Sequence, residues 1–343
     1  MADERLLEVR GLKVQFATED GVVHAVDGVD FALDRGKVLG IVGESGSGKS
    51  VTAMTILGLT RDVNTRFEGE VIYKDRNLLD LPENEMQQYR GAEIGMIFQD
   101  PMTSLNPVYR VGDQIVEAIQ AHEPVDKRKA RRRAVELLRQ VGIPNPESRV
   151  DDYPHQFSGG MRQRAMIAMA LSCNPDVLIA DEPTTALDVT IQAQIIELID
   201  QLKDDFNSAV ILITHDLGVV AEIADDLLVM YAGRVVEHGG KRPLFYDPQH
   251  PYTWGLLGSI PRLDRPRSER LHTIEGSPPS LIRLPQGCKF RPRCPHAFEK
   301  CLEEPPLENR VETPGHLDRC WLTVEAKRAV RDETIEGGEP AAA

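Results

Sequence analysis

Apolar and polar positions along this chain follow the pattern of an α/β protein, with short apolar runs between stretches of helical spacing. Turn residues separate the first runs, which predicts an antiparallel sheet with strands at residues 12–16, 22–26 and 29–33. Another strand is expected at residues 69–73. A polar helix near residues 82–90 and a strand at 94–98 are expected next. The chain is therefore predicted to begin with a β-rich region.

Helical spacing dominates the next part of the chain. Apolar residues recur every three or four positions, which predicts helices at residues 111–121 and 128–141. A further helix, rich in Ala and Met, is expected to begin at Ser158 and to end at Leu171. Together these stretches predict an all-helical insert at about residues 107–172.

Three runs are almost entirely apolar, at residues 37–42, 177–180 and 210–214. Runs of this kind are typical of strands buried on both faces of a parallel sheet. Strands at residues 227–231 and 234–238 are expected to complete the same sheet.

Composition changes after residue 240, where prolines become frequent and a charged linker follows at residues 262–270. We therefore predict a first domain at residues 1–260 and a small module at 261–330. The small, polar residues at 331–343 predict a flexible tail.

The net charge of −14 argues against nucleic acid as a partner, because phosphate binding needs a basic surface. One basic cluster, at residues 127–133, lies in a predicted helix and is interpreted as its solvated face. Binding to anionic lipid or nucleic acid is the alternative for this cluster.

No apolar stretch reaches the ~18 residues of a membrane span, and the charged N-terminus has no signal-peptide core behind it. We therefore expect a chain that neither spans a membrane nor is secreted. In that setting its five cysteines are not expected to form disulfides.

Candidate chemistry begins at a glycine-rich stretch between the apolar run 37–42 and a helix-like run at 51–59. A glycine, four residues and Gly-Lys-Ser allow successive backbone N–H groups to face one anion at a helix N-terminus. Lys49 is expected to reach the β and γ phosphates of a nucleotide, and the Ser50 hydroxyl to ligate Mg²⁺. A plain Gly/Ser-rich turn is the alternative. We call this stretch the glycine loop; its residues are Gly43, Glu44, Ser45, Gly46, Ser47, Gly48, Lys49 and Ser50.

Polar side chains follow two of the buried strands, at the sheet edge where α/β proteins bind ligands. Asp181 is expected to hold Mg²⁺ through water, and Glu182 to polarise an attacking water. An acidic helix N-cap is the alternative for either residue. His215 ends the next strand and is expected to contact a γ-phosphate, whereas a lone histidine at a strand end is more often structural.

Two further features are weaker when taken alone. Phe16 lies upstream of the glycine loop, where an aromatic ring can stack on adenine or simply pack in the core. Ser158, Gly159 and Gly160 form a turn before a helix, which fits either a second anion site or an ordinary serine cap.

Residues 6–260 resemble an ATP-binding cassette ATPase. The resemblance is carried by the glycine loop and, in chain order, by Gln99, Ser158-Gly159-Gly160, Asp181-Glu182, Asp188 and His215. It implies a P-loop NTPase fold with an antiparallel β subdomain and a helical insert, acting as an ATPase.

The same resemblance implies a site shared between two ATPase subunits arranged head to tail. ATP on the glycine loop would face the partner's Ser-Gly-Gly turn, while Ser158, Gly159 and Gly160 would bind the partner's nucleotide. Asp188 would lie at the subunit interface, and Gln99 would sense the γ-phosphate and Mg²⁺. Met161 departs from the family, most of whose members have Gln at that position.

A narrower resemblance, to the ATPase subunits of oligopeptide/dipeptide importers, comes from the segments at residues 99–107, 153–164, 250–253 and 276–279. It implies a peripheral protein on the cytoplasmic face of the cell membrane, working with two transmembrane permease subunits. A second ATPase subunit, identical or not, and indirectly a solute-binding receptor complete the implied assembly. Nickel or glutathione is the alternative cargo. A soluble cassette ATPase of DNA repair or translation is the alternative function.

The importer resemblance also implies an iron–sulfur cluster in the C-terminal module, with the cysteines Cys288, Cys294, Cys301 and Cys320. Four thiols in a short, Pro-rich segment with few apolar residues independently suggest a fold held together by metal. The spacing lacks the tight C-x2-C pairs of most zinc sites, which favours 4Fe-4S and leaves zinc or free thiols as alternatives. Cys173 is expected to lie in the core.

Overall fold

The computed structural model describes residues 5–185, 187–260 and 274–336. Its strands are β1 (Arg5–Thr18), β2 (Gly21–Asp34), β3 (Val38–Val42), β4 (Thr65–Tyr73), β5 (Arg76–Asn77), β6 (Ile94–Ile97), β7 (Val177–Asp181), β8 (Ala209–Thr214), β9 (Asp226–Tyr231), β10 (Arg234–Gly240), β11 (Glu308–Asn309) and β12 (Leu317–Asp318). Its α-helices are α1 (Lys49–Ile56), α2 (Glu83–Tyr89), α3 (Pro101–Ser104), α4 (Val111–His122), α5 (Lys127–Gln140), α6 (Pro146–Arg149), α7 (Gly159–Ala170), α8 (Val189–Phe206), α9 (Leu217–Ile223), α10 (Lys241–Tyr246), α11 (Pro251–Gly258) and α12 (Val324–Glu336). Short 3-10 helices lie at Leu78–Asp80, Pro154–Gln156, Arg291–Arg293 and Glu299–Leu302.

The predicted antiparallel sheet is present, with strand order β2-β1-β4-β5. The two runs predicted as separate strands at residues 22–26 and 29–33 are instead the single strand β2. Gly28, expected in a turn between them, adopts a φ of +76° where the register with β1 shifts. A glycine with positive φ accommodates a bulge, so the strand continues through a position that reads as a turn.

The larger sheet has the order β11-β12-β10-β9-β3-β8-β7-β6, and its strands from β9 to β6 run parallel. Every residue of β3, β7 and β8 is buried, as the apolar runs predict. Alternate side chains of β8 enter two different cores: Val210 and Leu212 face the helices, while Ile211 and Ile213 face the side of the sheet covered by β1 and β2. The sheet is therefore covered on both faces, and its carboxyl edge is left for ligands.

Helices α4 to α7 form the helical insert expected at about residues 107–172. Its apolar face is buried, whereas Lys127, Arg128, Lys129 and Arg132 of the basic cluster on α5 are exposed. Arg131 donates to Asp151, and Arg133 donates to Glu123. The exposure of most of the cluster agrees with the solvated-face interpretation of residues 127–133.

The C-terminal part of the chain extends the larger sheet, because β12 pairs antiparallel with β10. The predicted linker at residues 262–270 lies outside the described residues. Helix α12 continues to Glu336, so the start of the tail predicted from residue 331 is helical. No helix in the described ranges is both long and apolar enough to cross a membrane.

Candidate functional site

The glycine loop connects β3 to α1, and two of its glycines occupy positions where no side chain fits. A Cβ atom on Gly43 would lie 2.2 Å from the backbone oxygen of Met230, and one on Gly48 would lie 2.4 Å from that of Ala25. Both residues also have positive φ, at +152° and +102°. The loop is thus held close to β9 and β2 and opens directly into a helix N-terminus.

Lys49 is buried within this loop, with an exposed fraction of 4%. Its Nζ atom donates to the carbonyl oxygens of Gly43 at 2.6 Å and Glu44 at 2.9 Å. Burial lowers the pKa of Lys49, and the carboxylates of Glu182 and Asp181 oppose that shift. The ammonium group is therefore a desolvated cation bound to neutral carbonyls, which an anion can attract away.

Ser50 and Asp181 meet at the end of β7. The Ser50 Oγ donates to the Asp181 Oδ1 at 3.0 Å. Burial raises the pKa of Asp181, and the Ser50 hydrogen bond partly offsets the effect. A hydroxyl and a carboxylate with this proximity are the hard oxygen ligands that Mg²⁺ prefers, so the pair suits a divalent cation.

Glu182 lies at the centre of the third group of polar residues. Its backbone has the left-handed φ of +46°, and its N–H donates to the oxygen of Ile213 on β8 at 2.8 Å. Gln99 Nε2 donates to Glu182 Oε2 at 2.9 Å, and His215 Nδ1 lies 3.5 Å from Oε1. Three predicted residues from three different strand ends are therefore brought together. Strain at a non-glycine residue is often found where a side chain must be aimed.

Thr185 belongs to this group and was missed by sequence reasoning. Its Oγ1 donates to Glu182 Oε2 at 2.8 Å. A threonine three residues after a carboxylate can close a local turn, which is the one signal in the sequence that points to it. Glu182 thus accepts hydrogen bonds from two neutral donors, and these fix the direction of its carboxylate.

The Ser-Gly-Gly turn, residues 158–160, occupies a different part of the molecule. Ser158 Oγ caps α7 by accepting a hydrogen bond from the Met161 N–H at 3.3 Å. The ordinary serine cap is therefore present, and the second anion site stays a prediction. The turn also borders an open cleft of about 440 Å³. Lining residues of that cleft are Ser158, Gly159, Gly160, Met161, Arg164, Leu187, Asp188 and Ile191. Asp188 and the turn therefore share one cleft, and the glycine loop is not among its lining residues.

Phe16 lies on β1, where it pairs with Val23 of β2 and Thr65 of β4. Its ring is half-buried against the core on that side of the sheet. The packing alternative therefore accounts for one face of the ring, and stacking on adenine stays a prediction.

The four C-terminal cysteines, Cys288, Cys294, Cys301 and Cys320, line one small cavity of about 10 Å³, and all are free thiols. Burial raises the pKa of Cys294 and of Cys320 to about 12. Among the residues that the structure describes, no group of three or more His, Cys, Asp or Glu side chains is arranged to hold a single metal ion. Cys173 lies apart, half-buried, with its Sγ 3.7 Å from the oxygen of Ala118.

Family models match two parts of the chain. The ABC transporter model matches residues 26–185, and the model described as the oligopeptide/dipeptide transporter C-terminal region matches residues 236–301. These matches cover the glycine loop in one case and Cys288, Cys294 and Cys301 in the other.

Curated relatives are similar over nearly the whole chain. The oligopeptide transport ATP-binding protein OppD of Salmonella typhimurium is 56% identical over 320 residues, covering 93% of this chain and 94% of its own. The dipeptide transport ATP-binding protein DppD of Bacillus subtilis is 52% identical over 320 residues, covering 93% and 95%.

Solved structures share the fold of the larger part. The dimeric structure of a bacterial ABC transporter cassette matches with a TM-score of 0.62 and 27% identity, over 69% of this chain and 99% of the other. The family assignment rests on the glycine loop, on the polar residues around Glu182 and on the match to OppD and DppD over nine-tenths of the chain. This protein belongs to the ABC transporter ATPases, in the branch of the oligopeptide/dipeptide transport ATP-binding proteins.

Proposed function

We propose that this chain is the ATP-hydrolysing subunit that powers import of oligopeptides or dipeptides through partner membrane permeases. One observation carries the proposal: Lys49 is buried in the glycine loop and Ser50 bonds Asp181, next to a Glu182 carboxylate that accepts hydrogen bonds from Gln99 and Thr185. The 56% identity to an oligopeptide transport ATP-binding protein supports the transport role and the peptide cargo.

In this proposal the glycine loop binds the nucleotide phosphates. Backbone N–H groups at the start of α1 face the phosphate oxygens, and Lys49 moves from the loop carbonyls to the β and γ phosphates. Ser50 would ligate Mg²⁺ and Asp181 would hold it through water, and the bound ion would offset negative charge on the phosphate oxygens. The residues fit the ion because both ligand atoms are oxygens and the buried Asp181 lacks a cationic hydrogen-bond partner in the described structure.

Hydrolysis in this proposal depends on Glu182. Its carboxylate orients a water molecule and polarises the water O–H bond. The water oxygen bonds to the γ-phosphorus as the bond from that phosphorus to the ADP oxygen breaks, and the water proton passes to the released phosphate. Gln99 and Thr185 fix the carboxylate, while the exposed His215 lies next to it and is placed to contact the transferred phosphoryl group. Phosphoryl transfer to water requires positioning and charge stabilisation more than covalent help, and this set provides both.

A second ATPase subunit completes the site in this proposal. The turn at residues 158–160 and Asp188 border a cleft that is open on this chain, which supports their predicted place at an interface with a partner's nucleotide. The dimeric cassette among similar structures supports such pairing.

Permease binding is proposed for the surface between β6 and α4, on the cytoplasmic face of the membrane. Four large apolar residues are exposed there, namely Phe98, Met102, Val108 and Tyr109. Their exposure within one short segment supports an interaction site there. Because Gln99 lies in the same segment, binding of a permease can respond to the state of Glu182 and the nucleotide.

Purification of the native complex tests the proposal. We expect this chain to be recovered with two permease subunits and a second ATPase subunit, and the complex to hydrolyse ATP faster when peptide and solute receptor are added. A homodimer recovered on nucleic acid, without permeases, would show that the transport role is wrong.

We further propose that the four C-terminal cysteines hold a 4Fe-4S cluster. All four thiols share one cavity, which supports a common ligand, and the absence of tight C-x2-C pairs in the sequence favours 4Fe-4S over zinc. A cavity of about 10 Å³ has room for roughly one water, so binding requires the thiol side chains to rotate outward. Because the pKa values of Cys294 and Cys320 are raised, these thiols carry protons that must be released when the metal binds.

Anaerobic purification followed by visible absorption and metal analysis tests this cluster. We expect about four irons per chain and a brown colour that a Cys294→Ser variant loses. Stoichiometric zinc without iron would contradict the proposal.

A further inference from the structure

Glu44, the first residue after Gly43 in the glycine loop, is held by residues from the far end of the chain. The Arg293 guanidinium donates to both of its carboxylate oxygens, from Nη1 at 2.6 Å and from Nη2 at 3.0 Å. The Glu44 backbone N–H donates to the hydroxyl oxygen of Tyr252 at 2.8 Å. Both the side chain and the backbone of one loop residue are therefore fixed from outside the loop.

Arg293 is itself fixed before it reaches Glu44. Its side chain is only 4% exposed, and it also donates to the carbonyl oxygens of Ile274 at 3.1 Å and Glu275 at 2.9 Å. The guanidinium lies 5.8 Å from the centre of the Tyr231 ring. A guanidinium with this many hydrogen bonds has a fixed orientation, whereas the side chains of a surface ion pair are flexible.

Tyr252 is equally constrained. It is fully buried, and its ring packs on Tyr231 at 4.7 Å and on Phe290 at 5.4 Å between ring centres. Its hydroxyl therefore has a fixed position from which to accept the Glu44 N–H.

The position of Glu44 matters to the nucleotide for two reasons. Its carbonyl oxygen is one of the two that hold Lys49, so movement of Glu44 displaces the cation. Its carboxylate is 29% exposed and lies in the loop proposed to bind phosphates, where an unpaired negative charge repels an anion. Pairing with Arg293 cancels that charge.

We propose that Arg293 and Tyr252 are positioning residues for nucleotide binding: by holding Glu44 they set the shape of the glycine loop and neutralise its one acidic side chain. The inference rests on the proposed nucleotide site and gives the C-terminal module a part in it. Arg293 immediately precedes Cys294, so a change at the cysteine cavity lies one residue from the loop contact.

Nucleotide affinity of the full chain tests the proposal, with a fluorescent ATP analogue and Mg²⁺ as the probe. We expect Arg293→Ala to raise the Kd about tenfold, since it removes a bidentate charge-assisted contact. Tyr252→Phe is expected to raise the Kd about twofold to fivefold, since it leaves one N–H without its acceptor. Arg293→Lys, which keeps the charge but not the fork, should lie between wild type and Arg293→Ala.

A double variant separates positioning from a general structural role. If the unpaired Glu44 carboxylate causes the loss, then Arg293→Ala combined with Glu44→Gln should bind within about twofold of Glu44→Gln alone. Arg310→Ala is the matched control, because Arg310 pairs with the buried Asp318 in the same module and does not touch the loop. We expect its Kd to equal that of the wild type.

Each result has a definite meaning. Unchanged affinity in Arg293→Ala overturns the inference, as does an equal loss in Arg310→Ala or in the double variant relative to Glu44→Gln. If Arg293→Ala does not fold, Tyr252→Phe and Arg293→Lys decide the same question, and wild-type affinity in both overturns it. A wild-type chain that binds no nucleotide contradicts the proposed function itself, which distinguishes the two failures.

Discussion

The glycine loop and the Ser-Gly-Gly turn have similar sequences but different surroundings. Each is a glycine-containing turn that opens a helix, α1 in one case and α7 in the other. Around the first, backbone atoms of β9 and β2 approach so closely that Gly43 and Gly48 cannot carry a side chain. Around the second, a Cβ on Gly159 would meet only Leu187 Cδ2, at 3.9 Å, which is ordinary contact.

This difference shows which glycines the chain itself requires. Gly43 and Gly48 are needed for folding of the loop, since both have positive φ and no space. Gly159 is the first residue of helix α7, has no such requirement and has room for a side chain. The fold of this chain does not need glycine there, which is compatible with the proposed contact to a partner subunit's nucleotide.

The largest expected effect is on the rate of ATP hydrolysis, when Glu182 beside the glycine loop is changed. Glu182→Gln should lower the rate of ATP hydrolysis by about 10²–10⁴-fold, because an amide cannot polarise the attacking water. ATP affinity should be kept, since Lys49, Ser50 and Asp181 are untouched. Phosphate release by the purified complex measures the rate, and wild-type turnover would show that Glu182 has another role.

Removal of the Lys49 ammonium group should weaken nucleotide binding and not primarily the rate of hydrolysis. Lys49→Ala is expected to weaken ATP binding about 100-fold, because no other ammonium or guanidinium is bonded to the loop carbonyls in the described structure. The nucleotide-free fold should survive, since burial of the Lys49 charge already has a desolvation cost. Calorimetric titration with ATP and Mg²⁺ provides the measurement, and unchanged affinity would mean that the glycine loop is not the phosphate site.

Alanine substitutions at one glycine of each turn test the difference between the glycine loop and the Ser-Gly-Gly turn. Gly159→Ala should leave thermal stability equal or slightly higher and leave ATP binding by the single chain unchanged, yet lower turnover of the assembled complex about tenfold. Gly43→Ala, in contrast, should abolish binding by the single chain, because its Cβ would lie 2.2 Å from the Met230 oxygen. Equal turnover in the Gly159→Ala complex would mean that the Ser-Gly-Gly turn faces no nucleotide.

Much of this arrangement could be predicted from local pattern. The apolar runs place β3, β7 and β8 in a buried parallel sheet, and residues that follow such strands must share its carboxyl edge. The grouping of Gln99, Glu182 and His215 follows from that rule and from the family resemblance. Helix bounds also agree closely, for example Val111–His122 against the predicted 111–121.

Other features depend on contacts between distant parts of the chain. The Arg293 contact with Glu44 spans 249 residues and has no periodic signal. Gly28 reads as a turn, and only pairing of β2 with β1 decides that it is a bulge. The left-handed backbone of Glu182 likewise accompanies a hydrogen bond from its N–H to β8, and no local pattern reveals that contact.

The smallest expected effect is on the thermal stability of the protein before nucleotide binds. Burial raises the pKa of Asp181 above the ~3.9 of an unfolded aspartate. A raised folded pKa means that stability from this group is fully present below the unfolded value and is lost as pH rises through the folded value. At neutral pH the ionised carboxylate therefore destabilises the nucleotide-free fold.

Asp181→Asn removes that charge and keeps an oxygen that can accept from Ser50. We expect its Tm at pH 7 to exceed that of the wild type by about 2 °C without nucleotide, and the difference to disappear below about pH 4. With ATP and Mg²⁺ the order should reverse, because the variant loses an anionic oxygen for the cation and gains less from ligand binding. Thermal unfolding at the two pH values, with and without nucleotide, measures all four quantities. A lower Tm for the nucleotide-free variant at pH 7 would show that Asp181 is a structural partner of Ser50 and not a carboxylate kept at a cost in stability for its ligand.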